Sequence, residues 1–103
     1  MTDDMTYTHN TERNRYEAKR GTSVIGVAEY EVTPKLIVFT HTLVQPEHEG
    51  QGIGSALVQF ALDDVRQDGR RQVLPLCSFV RHWIDEHPDY ASLLEGGDDA
   101  AGE

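Results

Sequence analysis

Three glycines within five residues, Gly50, Gly52 and Gly54, separate the most strand-like run of the chain from its clearest helix. The run before them, Leu36–Val44, reads Leu-Ile-Val-Phe-Thr-His-Thr-Leu-Val and is dense in β-branched and aromatic residues. After them Ile53, Ala56, Leu57, Phe60, Ala61 and Val65 recur at helical spacing, and Gly69 supplies a natural stop. A helix N-terminus carries unpaired N–H groups and the positive end of the helix dipole, so it attracts anions. Glycine lets the backbone curl there and approach an anion without a Cβ in the way, at a cost in unfolded-state entropy that a mere connector has no reason to bear. Gly50 to Ser55 therefore reads as a backbone phosphate cradle.

The rest of the chain decides which sheet holds this loop. Residues 1–12 are rich in Thr, Asp and Asn and are expected to be an acidic lead-in. Arg13–Arg20, with Tyr16 and Ala18, suits an exposed edge strand. Gly21-Thr22 turns the chain into Ser23–Val32, where Val24, Ala28, Tyr30 and Val32 share one face. Thr33-Pro34-Lys35 ends that strand. Apolar residues on both parities of Leu36–Val44 predict a central strand covered on both faces. Strands joined by such short turns are antiparallel, whereas the step across the helix to Gln72–Cys77 brings two strands parallel. Ser78 is expected to cap a second helix carrying Phe79, Val80, Trp83, Ile84 and His87, which Pro88 ends. The aromatic and aliphatic members of that set are assigned to the core. The fold class is α/β (α+β), a mixed, mainly antiparallel sheet with helices packed on it. One domain over residues 13–94 and an acidic disordered tail over 95–103 complete the expected organisation.

Charge narrows the partners. The formal net charge is −9. Three acids without a base in residues 1–12 and four without a base in 95–103 carry most of it, leaving −2 between. No basic stripe favours nucleic acid. The single Cys77 excludes an internal disulfide and a thiolate zinc site, and the five histidines lack ligand spacing, so no metal is expected. No apolar run reaches the roughly 20 residues of a membrane span, and the acidic start is unlike a signal peptide, so a cytoplasmic monomer is expected. The loop lacks the Lys-Ser or Lys-Thr of a nucleotide triphosphate site, and Ser55 stands where a dinucleotide fingerprint needs its last glycine.

At this point the sequence resembles the GNAT superfamily of N-acetyltransferases, and more closely its minimal single-domain subgroup. The superfamily signature [Q/R]-x-x-G-x-[G/A] aligns with Glu49-Gly50-Gln51-Gly52-Ile53-Gly54. The likeness extends over Asn14–Glu17, Phe39–Thr42, Gly50–Val58, Pro75–Val80 and His87–Tyr90. Glu49 departs from the pattern, and because a carboxylate beside a pyrophosphate is unfavourable it is expected to point away.

The resemblance implies acetyl-CoA as acetyl donor, lying where the Leu36–Val44 and Gln72–Cys77 strands splay apart. Backbone N–H groups of Gln51, Gly52, Ile53, Gly54 and Ser55 would hold its pyrophosphate. Main chain near Leu43 and Val44 would pair with the pantetheine and polarise the thioester carbonyl. Acetylation of an amine needs a base. His41 suits that role because an imidazole changes charge near neutral pH, and the His-Thr pair of the subgroup supports it. Cys77, beside a helix N-terminus that favours a thiolate, is the second catalytic candidate and could accept the acetyl group in a two-step route. Larger relatives close over the acceptor with further C-terminal elements, so an open site for an amine acceptor, a protein or peptide amine among the options, is expected here. The competing reading is a non-catalytic acyl-CoA-binding or regulatory module of the same fold.

Overall fold

The computed structural model describes residues 5–94. Five strands lie in the order β1 (Met5–Asn10), β2 (Arg15–Arg20), β3 (Ser23–Val32), β4 (Leu36–Val44) and β5 (Gln72–Pro75). The first four pair antiparallel, and β5 joins β4 in parallel from Leu36↔Gln72 to Phe39↔Pro75. Helix α1 (Ile53–Asp68) forms the crossover, and α2 (Ser78–Glu86) and a 3-10 turn (Pro88–Leu93) follow β5. Among the described residues no helix is long and apolar enough to cross a membrane.

Strand β1 corrects the expectation of a loose lead-in: it is the edge strand, and β2 is interior. Its pattern is a strand's period of two. Met5 and Tyr7 pack on the core, His9 stacks on Tyr16 at 4.0 Å, and Thr6 and Thr8 alternate with them. Polar threonines and a histidine hid this alternation from a reading of hydrophobicity. The expected tail at 95–103 lies outside the described residues.

Helix α1 buries Ile53, Leu57, Val58, Ala61, Leu62 and Val65 against Tyr16, Ala28, Tyr30, Ile37 and Phe39 of the sheet. It ends at Gly69, whose left-handed backbone (φ 74°) lets its N–H reach the Val65 carbonyl at 3.1 Å. Helix α2 sets Val80, Trp83 and Ile84 into the same core. Cys77, not Ser78, occupies its N-cap position, and no side-chain cap bond forms. Pro88 has no N–H to continue the helix.

A bulge in β4 determines which side chains meet the helices. Tyr30 pairs with Phe39 but Glu29 pairs with His41, so Thr40 is the extra residue. Ile37 and Phe39 are buried. Beyond the bulge, Thr42 is partnered by the buried Ala28, while His41 is partnered by Glu29 and Leu43 by Val27. Cross-strand partners share a face, so Thr42 and Val44 lie on the helix side and His41 and Leu43 on the other. Leu43 is 55% exposed. The expectation of a strand covered on both faces is thus corrected: β4 has a strand on either side but deep burial only on its helix face.

The opposite face is stabilised by charge. Glu17 is 4% exposed, and its carboxylate accepts from Asn10 Nδ2 at 3.0 Å and Arg15 Nε at 2.8 Å, with Lys19 Nζ at 3.9 Å. Burial raises its proton affinity, but the hydrogen bonds from Arg15 and Asn10 and the charges of Arg15 and Lys19 outweigh it, so its pKa lies below the ordinary glutamate value.

Candidate active site

A groove of about 410 Å³ runs along the open end of β4, over the glycine loop, to α2. It is lined by Thr42, Leu43 and Val44, by His48 and Glu49, by Gly50, Gly52, Ile53, Gly54 and Ser55, and by Phe79. The loop leaves β4 through a 3-10 turn, Pro46–His48, closed by Glu49 N–H to the Pro46 carbonyl at 3.2 Å. The first α-helical hydrogen bond runs from Ala56 N–H to the Gly52 carbonyl at 3.0 Å. The N–H groups of Ile53, Gly54 and Ser55 precede the ladder and have no partner within the helix.

The three glycines have different reasons. Gly50 (φ 85°) and Gly52 (φ 78°) are left-handed, and a Cβ on either would meet nothing within 4 Å. Their requirement is conformational. Gly54 is helical and buried, and a Cβ there would stand 2.9 Å from Phe79 Cζ. Its requirement is steric: the Phe79 ring lies over it. Phe79, assigned to the core from helical spacing, is 44% exposed and forms a groove wall instead. Glu49, expected to point away, lines the groove as well.

The groove ends on β4 at Thr42, three residues past the point where β4 and β5 part, and neither Cys77 nor Gln51 is among its lining residues. Leu76 N–H and Cys77 N–H both donate to the Phe39 carbonyl, at 3.0 and 2.9 Å, and β5 follows β4 no further. Pro75 lies at the parting and offers no N–H to extend the ladder. Past Phe39, β4 is paired only on its β3 side among the described residues. Gln45 N–H donates to the Ile25 carbonyl of β3 at 2.9 Å. Strand alternation turns the main-chain groups of Leu43 the same way and those of Val44 and Thr42 to the open edge.

Cys77 is half-buried, and its Sγ donates to Thr42 Oγ1 at 3.4 Å across the parting. His41, on the other sheet face, has no side-chain hydrogen-bond partner among the described residues. The two catalytic candidates thus flank the same stretch of β4 from opposite faces, without contact between them. Ser55 Oγ accepts from the buried indole Nε1 of Trp83 at 2.8 Å, which ties α2 to the first turn of α1. Thr42, Phe79 and the Trp83–Ser55 bond were not legible in the sequence, because each depends on how α2 docks.

A wider depression of about 500 Å³ lies at the other end of α1, lined among others by His9, Tyr16, Tyr30, Asp64, Arg70 and Arg71. Its polar groups satisfy one another. Asp64 Oδ2 accepts from Tyr16 OH at 2.8 Å and lies 3.2 Å from His9 Nδ1, while His9 Nε2 meets Tyr30 OH. Arg70 pairs with Asp68 and Arg71 Nε donates to the Thr33 carbonyl. Burial, then the Asp64 hydrogen bond, pushes the Tyr16 hydroxyl well above the ordinary phenol range, so it remains a donor. This cluster joins β1, β2 and β3 to α1. Tyr90 is likewise structural: its hydroxyl donates to Asp63 at 2.7 Å, beneath the Arg66 guanidinium.

The mixed, mainly antiparallel five-strand sheet with its helices has the fold of the GNAT class of α/β domain. The family model described as GCN5-related N-acetyl-transferase matches residues 15–93, and the chain belongs to that family. No curated protein matches it in sequence. A solution structure of a GCN5-like N-acetyltransferase candidate from Staphylococcus aureus superposes with a TM-score of 0.66 at 20% identity, covering 92% of this chain and 91% of that one. The ribosomal-protein-S18-alanine N-acetyltransferase of Escherichia coli gives 0.54 at 19% identity, over 63% of this chain and 44% of that one. The ribosomal-protein-alanine N-acetyltransferase of Brucella melitensis biovar Abortus 2308 gives 0.54 at 16%, over 70% and 58%. At these identities the likeness is one of fold. This chain spans less than half of the Escherichia coli enzyme and little more than half of the Brucella one.

Proposed function

We propose that this protein binds acetyl-CoA in the groove beside the glycine loop and transfers the acetyl group to an amine. The observation that carries the reading is a single groove joining the unpaired first-turn N–H groups of α1 to Thr42 of β4, whose hydroxyl accepts from the Cys77 thiol just outside the groove's lining. The N–H groups of Ile53, Gly54 and Ser55 suit a pyrophosphate. The open edge of β4 at Thr42 and Val44 suits an amide-bearing pantetheine arm, which would add to the sheet as an extra strand. The apolar wall of Leu43, Val44 and Phe79 suits the arm's hydrocarbon.

Transfer proceeds by one of two routes. In direct transfer the deprotonated amine attacks the thioester carbonyl carbon, the C–S bond breaks, and the CoA thiolate leaves. In this reading His41, exposed on the face opposite α1, takes the amine's proton. In the two-step route the Cys77 thiolate attacks first, forms its own thioester and releases CoA. The amine then attacks that thioester and Cys77 is regenerated. The acceptor is an amine able to approach the exposed sheet face, and a protein or peptide amine fits such access.

Calorimetry with acetyl-CoA and with CoA tests the shared claim, and no binding at millimolar ligand would sink it. Intact mass after incubation with acetyl-CoA alone separates the routes: a single acetyl adduct absent from Cys77→Ala supports the covalent one. A non-catalytic acyl-CoA-binding module is favoured by the lack of contact between His41 and Cys77. Normal CoA binding with no turnover across an amine panel would establish it.

A further inference from the structure

The groove has an electrostatic deficit. Its lining residues include one acid, Glu49, and no Lys or Arg. A pyrophosphate there would find only backbone N–H groups, a helix dipole and the His48 ring to offset its charge. A cation does reach the loop, from β2. Arg20 Nη1 lies 3.4 Å from His48 Nδ1 and Arg20 Nη2 donates to Gln51 Oε1 at 3.3 Å, so the guanidinium spans the two residues on either side of Glu49-Gly50. Arg20 has no carboxylate partner among the described residues, and its Nε is buried without a hydrogen-bond acceptor. Two long hydrogen bonds leave most of its five donor positions unused.

We propose that Arg20 is the cationic anchor of the phosphate site, a positioning residue that supplies the charge the loop lacks and orients His48 toward the ligand. This rests on the reading of the groove as a CoA site. A guanidinium can only donate, so His48 Nδ1 accepts and the neutral imidazole carries its proton on Nε2. With Nδ1 engaged, Nε2–H is the donor left to His48, which lines the groove. Arg20 thereby acts twice: its charge lies within reach of the pyrophosphate through one intervening side chain, and it selects the tautomer that can donate to a phosphate oxygen. The ligand class it favours is a diphosphate-bearing thioester carrier rather than a short acyl-pantetheine.

The test is calorimetry on the full chain with CoA and with dephospho-CoA, comparing wild type, Arg20→Met and Arg20→Lys between about 0.05 and 0.5 M salt. Arg20→Met, which keeps the aliphatic stem, is expected to bind both ligands roughly tenfold more weakly at low salt. The gap should narrow at high salt, and Arg20→Lys should recover the salt-sensitive part. Unchanged affinity in Arg20→Met, a loss independent of salt, or a loss seen with CoA but not with dephospho-CoA overturns the proposal. Should Arg20→Met fail to fold, Arg20→Gln is read by the same criteria. If wild type binds CoA and these variants bind equally well, Arg20 is no anchor and the CoA reading stands. If wild type binds no CoA, both fall.

Discussion

The indole N–H of Trp83 donates to the Ser55 hydroxyl at 2.8 Å, and this bond fastens α2 to the helix turn that edges the groove. Trp83 is 4% exposed, stacks on His87 at 3.8 Å and meets Tyr90 edge-on at 4.9 Å. The proposed ligand loop is therefore braced from the core.

Ser55→Ala removes the acceptor and leaves a buried N–H without a partner. The expected loss is about 1–3 kcal/mol of stability, measured by chemical denaturation. Ser55→Thr should retain most of it. Trp83 is the only tryptophan, so its fluorescence reports the change directly. Unaltered stability in Ser55→Ala would show that the bond contributes nothing.

Gly52 and Gly54 should respond differently to alanine. Gly52→Ala forces a left-handed backbone on a residue with a Cβ and should cost roughly 1–2 kcal/mol, read as a lowered Tm, with weaker CoA binding. Gly54→Ala gains roughly 0.5–1 kcal/mol of helix propensity but displaces the Phe79 ring. Because that ring is half-exposed and can swing aside, Tm should change little while CoA affinity falls severalfold. Equal effects of the two substitutions on Tm would contradict the division of roles.

Glu17 predicts an acid-sensitive sheet. Its pKa is lowered in the folded state. Its contribution is therefore fully present above the unfolded glutamate value, near 4.3, and is lost as pH falls through the lower folded value. Glu17→Gln should lose about 1–2 kcal/mol at pH 7 and little at the acid end, flattening the profile of denaturation midpoint against pH below about 4.3. An unchanged profile would mean that Arg15, Lys19 and Asn10 do not favour the charged form.

His41 and Cys77 are expected to separate cleanly in kinetics. His41→Gln should leave CoA affinity intact and lower kcat by roughly 10²-fold or more, since an exposed side chain on the acceptor face touches neither the groove nor the core. On the covalent route Cys77→Ala abolishes both the acetyl adduct and turnover. On the direct route it retains turnover. Steady-state rates with an amine panel distinguish the cases, and full activity in His41→Gln would remove it from the mechanism.

Much of this molecule was readable because its signals are local. The glycine loop, the period of α1, the stop at Gly69 and the break at Pro75 are consequences of a few neighbouring residues. Their conformational preferences act over a turn or less of chain. The antiparallel order of β2, β3 and β4 follows from turns too short for a crossover. The collinear set of motifs carried the family resemblance on the same short range.

Tertiary structure alone decided the rest. Strand β1 pairs although its sequence is polar, because β2 presents Tyr16 and Ala18 to it and α1 offers a surface for Tyr7. The extra residue Thr40 reverses the facing of everything after Phe39, placing His41 and Cys77 on opposite sides of β4. No local preference specifies a bulge that only the two-strand register reveals. The contacts of Arg20 with His48 and Gln51 join residues 28 and 31 positions apart. The glycine loop was thus legible as a backbone device, while its charge balance was set by a strand distant in sequence. Backbone shape is governed by near neighbours, but electrostatic complementarity depends on whichever side chain the fold brings alongside.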